Sequence, residues 1–416
     1  MKRQLMTGNA AAAWGARLAD IDYVPAFPIT PQTEIIETLA NWFDQGEIQG
    51  KMTVLESEHS MITTAGAAAA TGVRVFTATS SQGLLHAMEM IYTVVGWRAP
   101  FVLLNVSRAL SSPITLEPDH TDVLSTRDSG FLQLHCATCQ EVLDSVLIAY
   151  RLAEHPQIRL PVIVNEDGFY LSFTREPVEI PDPNLAKKFV GEFNSGNIKF
   201  RASMPESQAV AVLGGSQYSY FRYECHLAMQ QALQVYEQVA DEFQQQFGRY
   251  HGILENFQTE DADYLFVMMG CFSTKAKQAV IQLREAGYKI GLVRPRLLRP
   301  FPKDQFIAAL SGKKAVAVID QNLSMGSGGV LHTEITSTLY AVTDAPPVIA
   351  SFIGGLGGRD ISQQELFQIA DTICEAANTG ITPEPRLLYT ELELREFRKL
   401  QAIAGVERHD LKEQKS

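Results

Sequence analysis

Short apolar runs recur along residues 1–180, separated by stretches with small residues or helical spacing. Tyr23-Val24-Pro25-Ala26-Phe27 reads as a strand closing at Pro28, and Met52 to Leu55 as another that runs into Glu56-Ser57-Glu58-His59. Val73 to Ala78, Phe101 to Val106 and Leu160 to Val164 are near-continuous apolar runs, the pattern of parallel strands covered on both faces. Between them, Ala10 to Ala19 and Met61 to Thr71 are helical in character. Pro31, with Thr30 as its N-cap, predicts another helix start. Strands alternating with helices predict a doubly wound α/β domain. From Glu176 to about Gly191 the chain turns proline-rich and polar, which reads as a linker. A long helix with Gln-rich outer positions is expected over Cys225 to Phe247. A second α/β unit begins near Asp263, with strand Tyr264 to Met268, a Ser/Thr-capped helix Ser273 to Ala286, and strands Ile290 to Val293 and Ala315 to Ile319. The last residues are charged and helical, with a final polar stretch expected to fray. No repeat of solenoid period is visible.

Composition narrows the function classes. A chain of 416 residues predicts two or three domains, and 46% hydrophobic residues supply a sizeable core. The balance of 35 Lys+Arg against 47 Asp+Glu, net −12, disfavours phosphate backbones and anionic membranes, so neither nucleic acid nor membrane is an expected partner. No apolar run approaches the roughly 20 residues a bilayer requires. Five cysteines are too few for a disulfide scaffold and point to a reducing compartment. Met1-Lys2-Arg3 before an alanine run superficially suggests a signal peptide, but Asn9, Trp14, Arg17 and Asp20 interrupt it. The expectation is a cytoplasmic protein.

Polar residues gather where three strands end: Phe27-Pro28-Ile29-Thr30-Pro31, Glu56-Ser57-Glu58-His59-Ser60 and Thr77-Ala78-Thr79-Ser80-Ser81-Gln82-Gly83. In open parallel sheets ligands sit beyond the carboxyl ends of the strands, so these are candidate site residues. On spacing alone, Thr30 and Ser80-Ser81 serve equally well as helix caps.

These strings occur in order with Met6-Thr7-Gly8-Asn9, Ser107-Arg108-Ala109-Leu110, Asp119-His120 and Arg127-Asp128-Ser129-Gly130. Further along come Leu160-Pro161-Val162, Glu176-Pro177-Val178-Glu179, Arg299-Pro300-Phe301-Pro302 and Asp320 to Gly329. The collinear set, which spares only about 190–260, resembles the α subunit of 2-oxoacid:acceptor oxidoreductases, the pyruvate:ferredoxin oxidoreductase family. The resemblance implies a pyrimidine-binding thiamin diphosphate domain over 1–185, a linker and helical segment over 186–258, a transketolase C-terminal-like domain over 259–390 and a charged helical tail over 391–416. It places Glu58 opposite N1′ of the aminopyrimidine. A carboxyl hydrogen bond there favours the imino tautomer, whose nitrogen removes the C2 proton of the thiazolium. Glu56, two residues earlier, is the competing carboxylate, and helix-start dipole complementation is the plainer role for Glu58. Ser81 and Gln82 are implied beside the cofactor with Glu58, and Thr30 and Arg108 at the substrate carboxylate, which suits an arginine fork. Arg108 also reads as one half of a buried structural ion pair. His120, flanked by Asp119 and Asp122, reads either as orienting a loop over the site or as a satisfied core histidine.

Two stretches depart from the pyruvate pattern: Pro113-Ile114-Thr115-Leu116-Glu117-Pro118, and Leu134-His135-Cys136-Ala137-Thr138-Cys139. Both lie near the substrate loop, so an aryl 2-oxo acid, as in a phenylglyoxylate dehydrogenase-type member, stands beside pyruvate. Cys136 and Cys139 form a lone Cys-x-x-Cys, short of the four ligands of a cluster or structural zinc, and read as packing. The Gly-Asp-Gly…Asn pattern that ligates magnesium on the diphosphate is missing too. Magnesium, the diphosphate site and [4Fe-4S] clusters are therefore expected on partners: a β subunit, γ and ferredoxin-like δ subunits, and ferredoxin or an NAD-reducing flavin subunit, with coenzyme A as co-substrate. Gly326-Ser327-Gly328-Gly329 and Gly354-Gly355-Leu356-Gly357-Gly358 fit no phosphate-loop motif and are expected as tight turns. Arg294, Arg296 and Arg299 read as a solvated, salt-bridged loop, or as a receiver of coenzyme A phosphates or an acidic subunit. The resulting expectation is a subunit that helps decarboxylate a 2-oxo acid oxidatively to acyl-CoA. A noncatalytic α/β scaffold and a self-contained thiamin enzyme are the alternatives.

Overall fold

In the computed structural model the described residues are 2–194 and 200–413, with side chains described through 406. The first sheet runs in the order Leu297–Arg299, Leu132–His135, Val162–Asp167, Val102–Ser107, Phe76–Thr79. All pairs are parallel except the outermost, where Leu297–Arg299 lies antiparallel to Leu132–His135. Tyr23–Ala26 and Lys51–Val54, themselves a parallel pair, continue the other edge: Tyr23 bridges Val75, and Thr77 Oγ1 donates to the Pro25 carbonyl at 2.7 Å. Val102–Ser107 and Val162–Asp167 are buried at every position, as expected for strands covered on both faces. The covering helix Gly8–Leu18 is built from small residues because it passes close to Cys139–Ala153: a Cβ on Gly15 would stand 2.7 Å from that of Val146.

The second sheet has the order Arg386–Leu387, Val348–Ile353, Ala315–Asp320, Tyr264–Met268, Ile290–Pro295, Leu254–Phe257, with only the last strand antiparallel. Helices Phe272–Glu285 and Gln363–Thr379 close one face over their own apolar core. The other face shares its core with the first unit. This is the α/β architecture expected from the strand–helix alternation.

Local expectations differ from the structure in four places. Residues 176–191 are folded. Arg175–Ile180 pairs antiparallel with Lys2–Thr7, and Asp182 caps a helix, Pro183–Val190, whose Phe189 packs edge-on against Phe243 and Phe247. The helix expected at Pro31 begins at Thr33, with no side-chain cap, because a turn from Ile29 to Gln32 intervenes. Phe272–Glu285 is not Ser/Thr-capped either: the Ser273 and Thr274 hydroxyls donate back to the Gly270 and Cys271 carbonyls. The long helix is longer than expected, Gly215–Phe247, and stops where Gly248 takes a left-handed φ of 75°. Among the described residues no helix is long and apolar enough to cross a membrane.

Candidate active site

Ser57 turns the chain out of Lys51–Val54 by accepting the Ser60 amide, and Glu58 becomes the first residue of helix Glu58–Ala70. That turn separates the two competing carboxylates. Glu58 is 5% exposed, whereas Glu56 faces solvent, where the Ser60 hydroxyl holds its acid below the usual range. Glu58 Oε2 lies 3.0 Å from His86 Nδ1. Its other oxygen rests against Gly83, where an added Cβ would come within 2.5 Å of Glu58 Oε1 and 2.6 Å of Thr79 Oγ1. Glycine is required there by this close approach.

Gly83 belongs to the short helix Ser81–His86 at the end of Phe76–Thr79. Its neighbour Gln82 accepts from Arg108 Nη2 at 2.7 Å, and Arg108 Nη1 donates to the Thr30 carbonyl at 2.7 Å. Burial pulls the Arg108 pKa down and Asp122 pulls it back up, yet a guanidinium stays charged. Thr30, Gln82 and Arg108 are thus joined directly, and Glu58 meets the same helix one residue away. Gln82 Nε2, Thr79 Oγ1 and Arg108 Nε are buried without partners. Ser81 is placed differently. Its hydroxyl donates to the Ala109 carbonyl and its amide to Asp122, so its polar groups are already engaged. Nor do Ser80 and Ser81 cap the helix; the Ser80 hydroxyl donates to the Val106 carbonyl.

His120 is wholly buried, with Nε2 2.7 Å from Asp167 Oδ1. Burial opposes its charge, but Asp167, then Asp119 and Asp122, raise its pKa above the ordinary value. Asp167 in turn accepts the Cys271 amide at 2.6 Å, and the His120 amide donates to the Gln321 carbonyl. His120 therefore ties the two units together, in keeping with the core-histidine reading. Burial, and secondarily the charge of His120, push the nearby His135 down to about 3. The loop after Arg108 rests on the second unit: Gly358 donates to the Pro118 carbonyl at 2.7 Å and Gly357 to Asp119 Oδ2 at 3.3 Å. Both glycine strings form turns as expected, with positive φ at Gly326, Gly328, Gly355, Gly357 and Gly358.

The arginine cluster is not a solvated loop. Arg294 and Arg296 both reach Glu141 Oε1, at 2.5 and 2.8 Å; Arg294 also holds Glu255, and Arg299 holds Glu334. All three arginines are buried, Arg294 in strand Ile290–Pro295 of the second sheet, Arg299 in strand Leu297–Arg299 of the first, and Arg296 in the step between them. Cys136 and Cys139 are free and buried, and burial pushes both thiols up.

Sequence reasoning missed His86, which no motif announced, and Asp122, noticed only as a neighbour of His120. Asp122 accepts amides from both Ser81 and Arg108. The hint was available in Asp119-His120-Thr121-Asp122, since a second acid beside a motif needs donors of its own.

The two α/β units have the architecture of thiamin diphosphate-binding and transketolase-like folds. The family model described as "Pyruvate flavodoxin/ferredoxin oxidoreductase, thiamine diP-bdg" matches residues 14–245, and "Pyruvate:ferredoxin oxidoreductase core domain II" matches 262–366. Pyruvate synthase subunit PorA of Thermotoga maritima is 40% identical over 366 residues, 88% of this chain and 93% of that one. The Pyrococcus furiosus PorA is 37% identical, covering 92% of this chain and 96% of its own. Ketoisovalerate oxidoreductase subunit VorA of Pyrococcus horikoshii is 38% identical, covering 91% and 95%. Among solved structures, the 2-oxoglutarate:ferredoxin oxidoreductase of Magnetococcus marinus shares the fold with a TM-score of 0.68 at 19% identity, covering 90% of this chain and 65% of that chain. The chain belongs to the pyruvate:ferredoxin oxidoreductase family and is a subunit of a 2-oxoacid oxidoreductase.

Proposed function

We propose that the chain is the α subunit of an enzyme that oxidatively decarboxylates a 2-oxo acid to acyl-CoA and CO2, with Glu58 activating thiamin diphosphate. The observation that carries this reading is a buried glutamate seated on Gly83, the residue next to Gln82, to which Arg108 donates while also donating to Thr30. The residues present fit the cofactor: Gly83 makes room for the buried Glu58 carboxyl, and Thr79 Oγ1, Gln82 Nε2 and Arg108 Nε are buried polar atoms without partners on the elements that carry it. Thiamin diphosphate supplies, when bound, a nucleophilic carbon and a sink for the electrons released with CO2. Glu58 holds a proton at N1′ of the aminopyrimidine. Arg108, its plane fixed by two acceptors, receives the substrate carboxylate, with Thr30 beside it. Ser81, whose groups are engaged internally, shapes the cofactor wall through its backbone. The convergence of Glu58, Gln82, Arg108 and Thr30 favours this reading over a noncatalytic scaffold.

The remaining parts of the assignment extend from the same reading. A β subunit brings the diphosphate site, magnesium and a [4Fe-4S] cluster. γ and δ subunits complete the path to ferredoxin, or to NAD through a flavin subunit, in the cytoplasm. The relatives named for pyruvate and ketoisovalerate bracket small and branched substrates, and the altered loop 113–118 adds an aryl substrate such as phenylglyoxylate. The test is Glu58→Gln in the assembled enzyme, assayed by coenzyme A-dependent dye reduction with each 2-oxo acid. Turnover should drop by roughly 10²–10⁴ with the accepted substrate, the usual worth of a positioned acid–base group. Nearly unchanged turnover would refute the assignment.

A further inference from the structure

The Asp122 side chain holds the candidate site by its backbone, accepting the amides of Arg108 and of Ser81, which opens the helix carrying Gln82 and Gly83. It is fully buried, and Oδ2 accepts three donors: the Ser81 amide at 3.0 Å, the Arg108 amide at 3.1 Å and Asn105 Nδ2 at 3.1 Å. Oδ1 accepts the Ser107 hydroxyl at 2.6 Å and the Asp122 carboxylate's own neighbour, the Val123 amide, at 2.7 Å. Among the described residues it forms no ion pair; burial pushes its pKa up, and the bonds from Ser107, Asn105, Arg108 and Ser81 pull it back toward the carboxylate.

The two backbone donors belong to different strand ends. Ser81 opens the helix that carries Gln82 and Gly83, and Arg108 follows Val102–Ser107. Ser81 is also held at a φ of 49°, a left-handed conformation that L side chains rarely adopt. Such a conformation persists only where the surroundings over-determine it. Here the Asp122 carboxylate holds the amide, and the Ala109 carbonyl holds the hydroxyl at 2.9 Å. Releasing Ser81 would let the short helix turn, moving the Gln82 oxygen away from Arg108 and Gly83 away from Glu58 together.

We infer that Asp122 is a positioning residue that sets the separation between the Arg108 fork and the Gln82–Gly83 helix start, and so the fit of the 2-oxo acid. The inference rests on the function proposed above. A group that only satisfied buried donors would, when altered, weaken folding and every kinetic constant alike. A positioning group has a selective signature.

The experiment compares Asp122→Asn, Asp122→Ala and Arg108→Gln in the assembled enzyme, measuring kcat and KM for the 2-oxo acid and KM for coenzyme A. Asparagine offers one oxygen, so either Ser81 and Arg108 or Val123 faces an amide donor. Alanine releases them all. The expected result is a KM for the 2-oxo acid raised about 10-fold by asparagine and about 100-fold by alanine, as one and two hydrogen bonds' worth of misfit would give. kcat should fall less than KM rises, and KM for coenzyme A should stay within about 2-fold. If alanine prevents assembly, asparagine decides alone. A 2-oxo acid KM unmoved by asparagine, or constants for both substrates moving together, would overturn the positioning role while Arg108→Gln still raises KM. An Arg108→Gln variant with unchanged KM would instead overturn the functional reading, and the inference with it.

Discussion

A methyl group at Gly83 would collide with Glu58 Oε1 and Thr79 Oγ1, yet Gly83 sits in helix Ser81–His86 without a positive φ. Gly83→Ala therefore weighs two opposed terms. Alanine in a helix is favoured over glycine by about 0.5–1 kcal/mol, but overpacking a buried site costs about 1–3 kcal/mol, so the melting temperature should fall only modestly. Turnover should fall by roughly 10²-fold, the scale of a catalytic group displaced by about an ångström. Parallel thermal melts and assays of the folded variant check this, and unchanged turnover at a lowered melting temperature would mean the glycine serves packing alone. At this scale the sequence named Glu58 and Arg108, but strand alternation could not choose between Glu56 and Glu58. The choice comes from the Ser57 cap, which ends the strand's period of two between them. Gln82 and Thr30 were expected at cofactor and substrate; their contacts in the structure are with Arg108, the Thr30 one through its main chain.

Longer elements were legible in proportion to how fully they are buried. Val102–Ser107 and Val162–Asp167 announced themselves as apolar runs, whereas Arg175–Ile180 has exposed and buried positions mixed, and Pro177 opposite Leu5 in the pair, so it passed for linker. The Arg294-Arg296-Arg299 run misled for the opposite reason: its counter-charges, Glu141, Glu255 and Glu334, lie 35 to 155 residues away. Burial opposes the charge of Glu141, but Arg294 and then Arg296 outweigh it and hold the carboxyl well below the ordinary range. Because its folded pKa is depressed, the stabilisation is complete above the unfolded value near 4.5 and is lost as pH falls through the folded value. Glu141→Ala should cost about 3–5 kcal/mol, leaving two arginines facing a buried gap. Urea unfolding of the variant and the parent at neutral pH measures that difference. A penalty that vanishes at neutral pH would show that the arginines find other partners.

The whole molecule is one interlocked pair of units with an open edge. Leu297–Arg299 completes the first sheet from beyond the second unit's opening strands, and His120, Asp167, Cys271 and Gln321 join the units near the site. This interlock was invisible in the sequence, because antiparallel pairing at an edge needs only a few residues and leaves no periodic trace. The described bonds of the Glu58 and Arg108 side chains come from His86, Gln82 and Thr30, all in the first unit. His86, paired with Glu58, has a side chain 59% exposed, and Ile114 and Leu116 stand out from the loop beyond Arg108. Apolar side chains left exposed in a segment already anchored at Pro118 and Asp119 are poorly placed for a site that must exclude water. The purified chain alone should therefore show no coenzyme A-dependent oxidation of pyruvate or phenylglyoxylate. Its calorimetric affinity for thiamin diphosphate should be at least about 100-fold weaker than that of the reconstituted complex, the loss expected when the charged diphosphate has no binding partner. Adding the partner subunits should restore both together. Restored affinity without turnover would place the missing function in electron transfer, and turnover by the isolated chain would mean that this edge closes on its own.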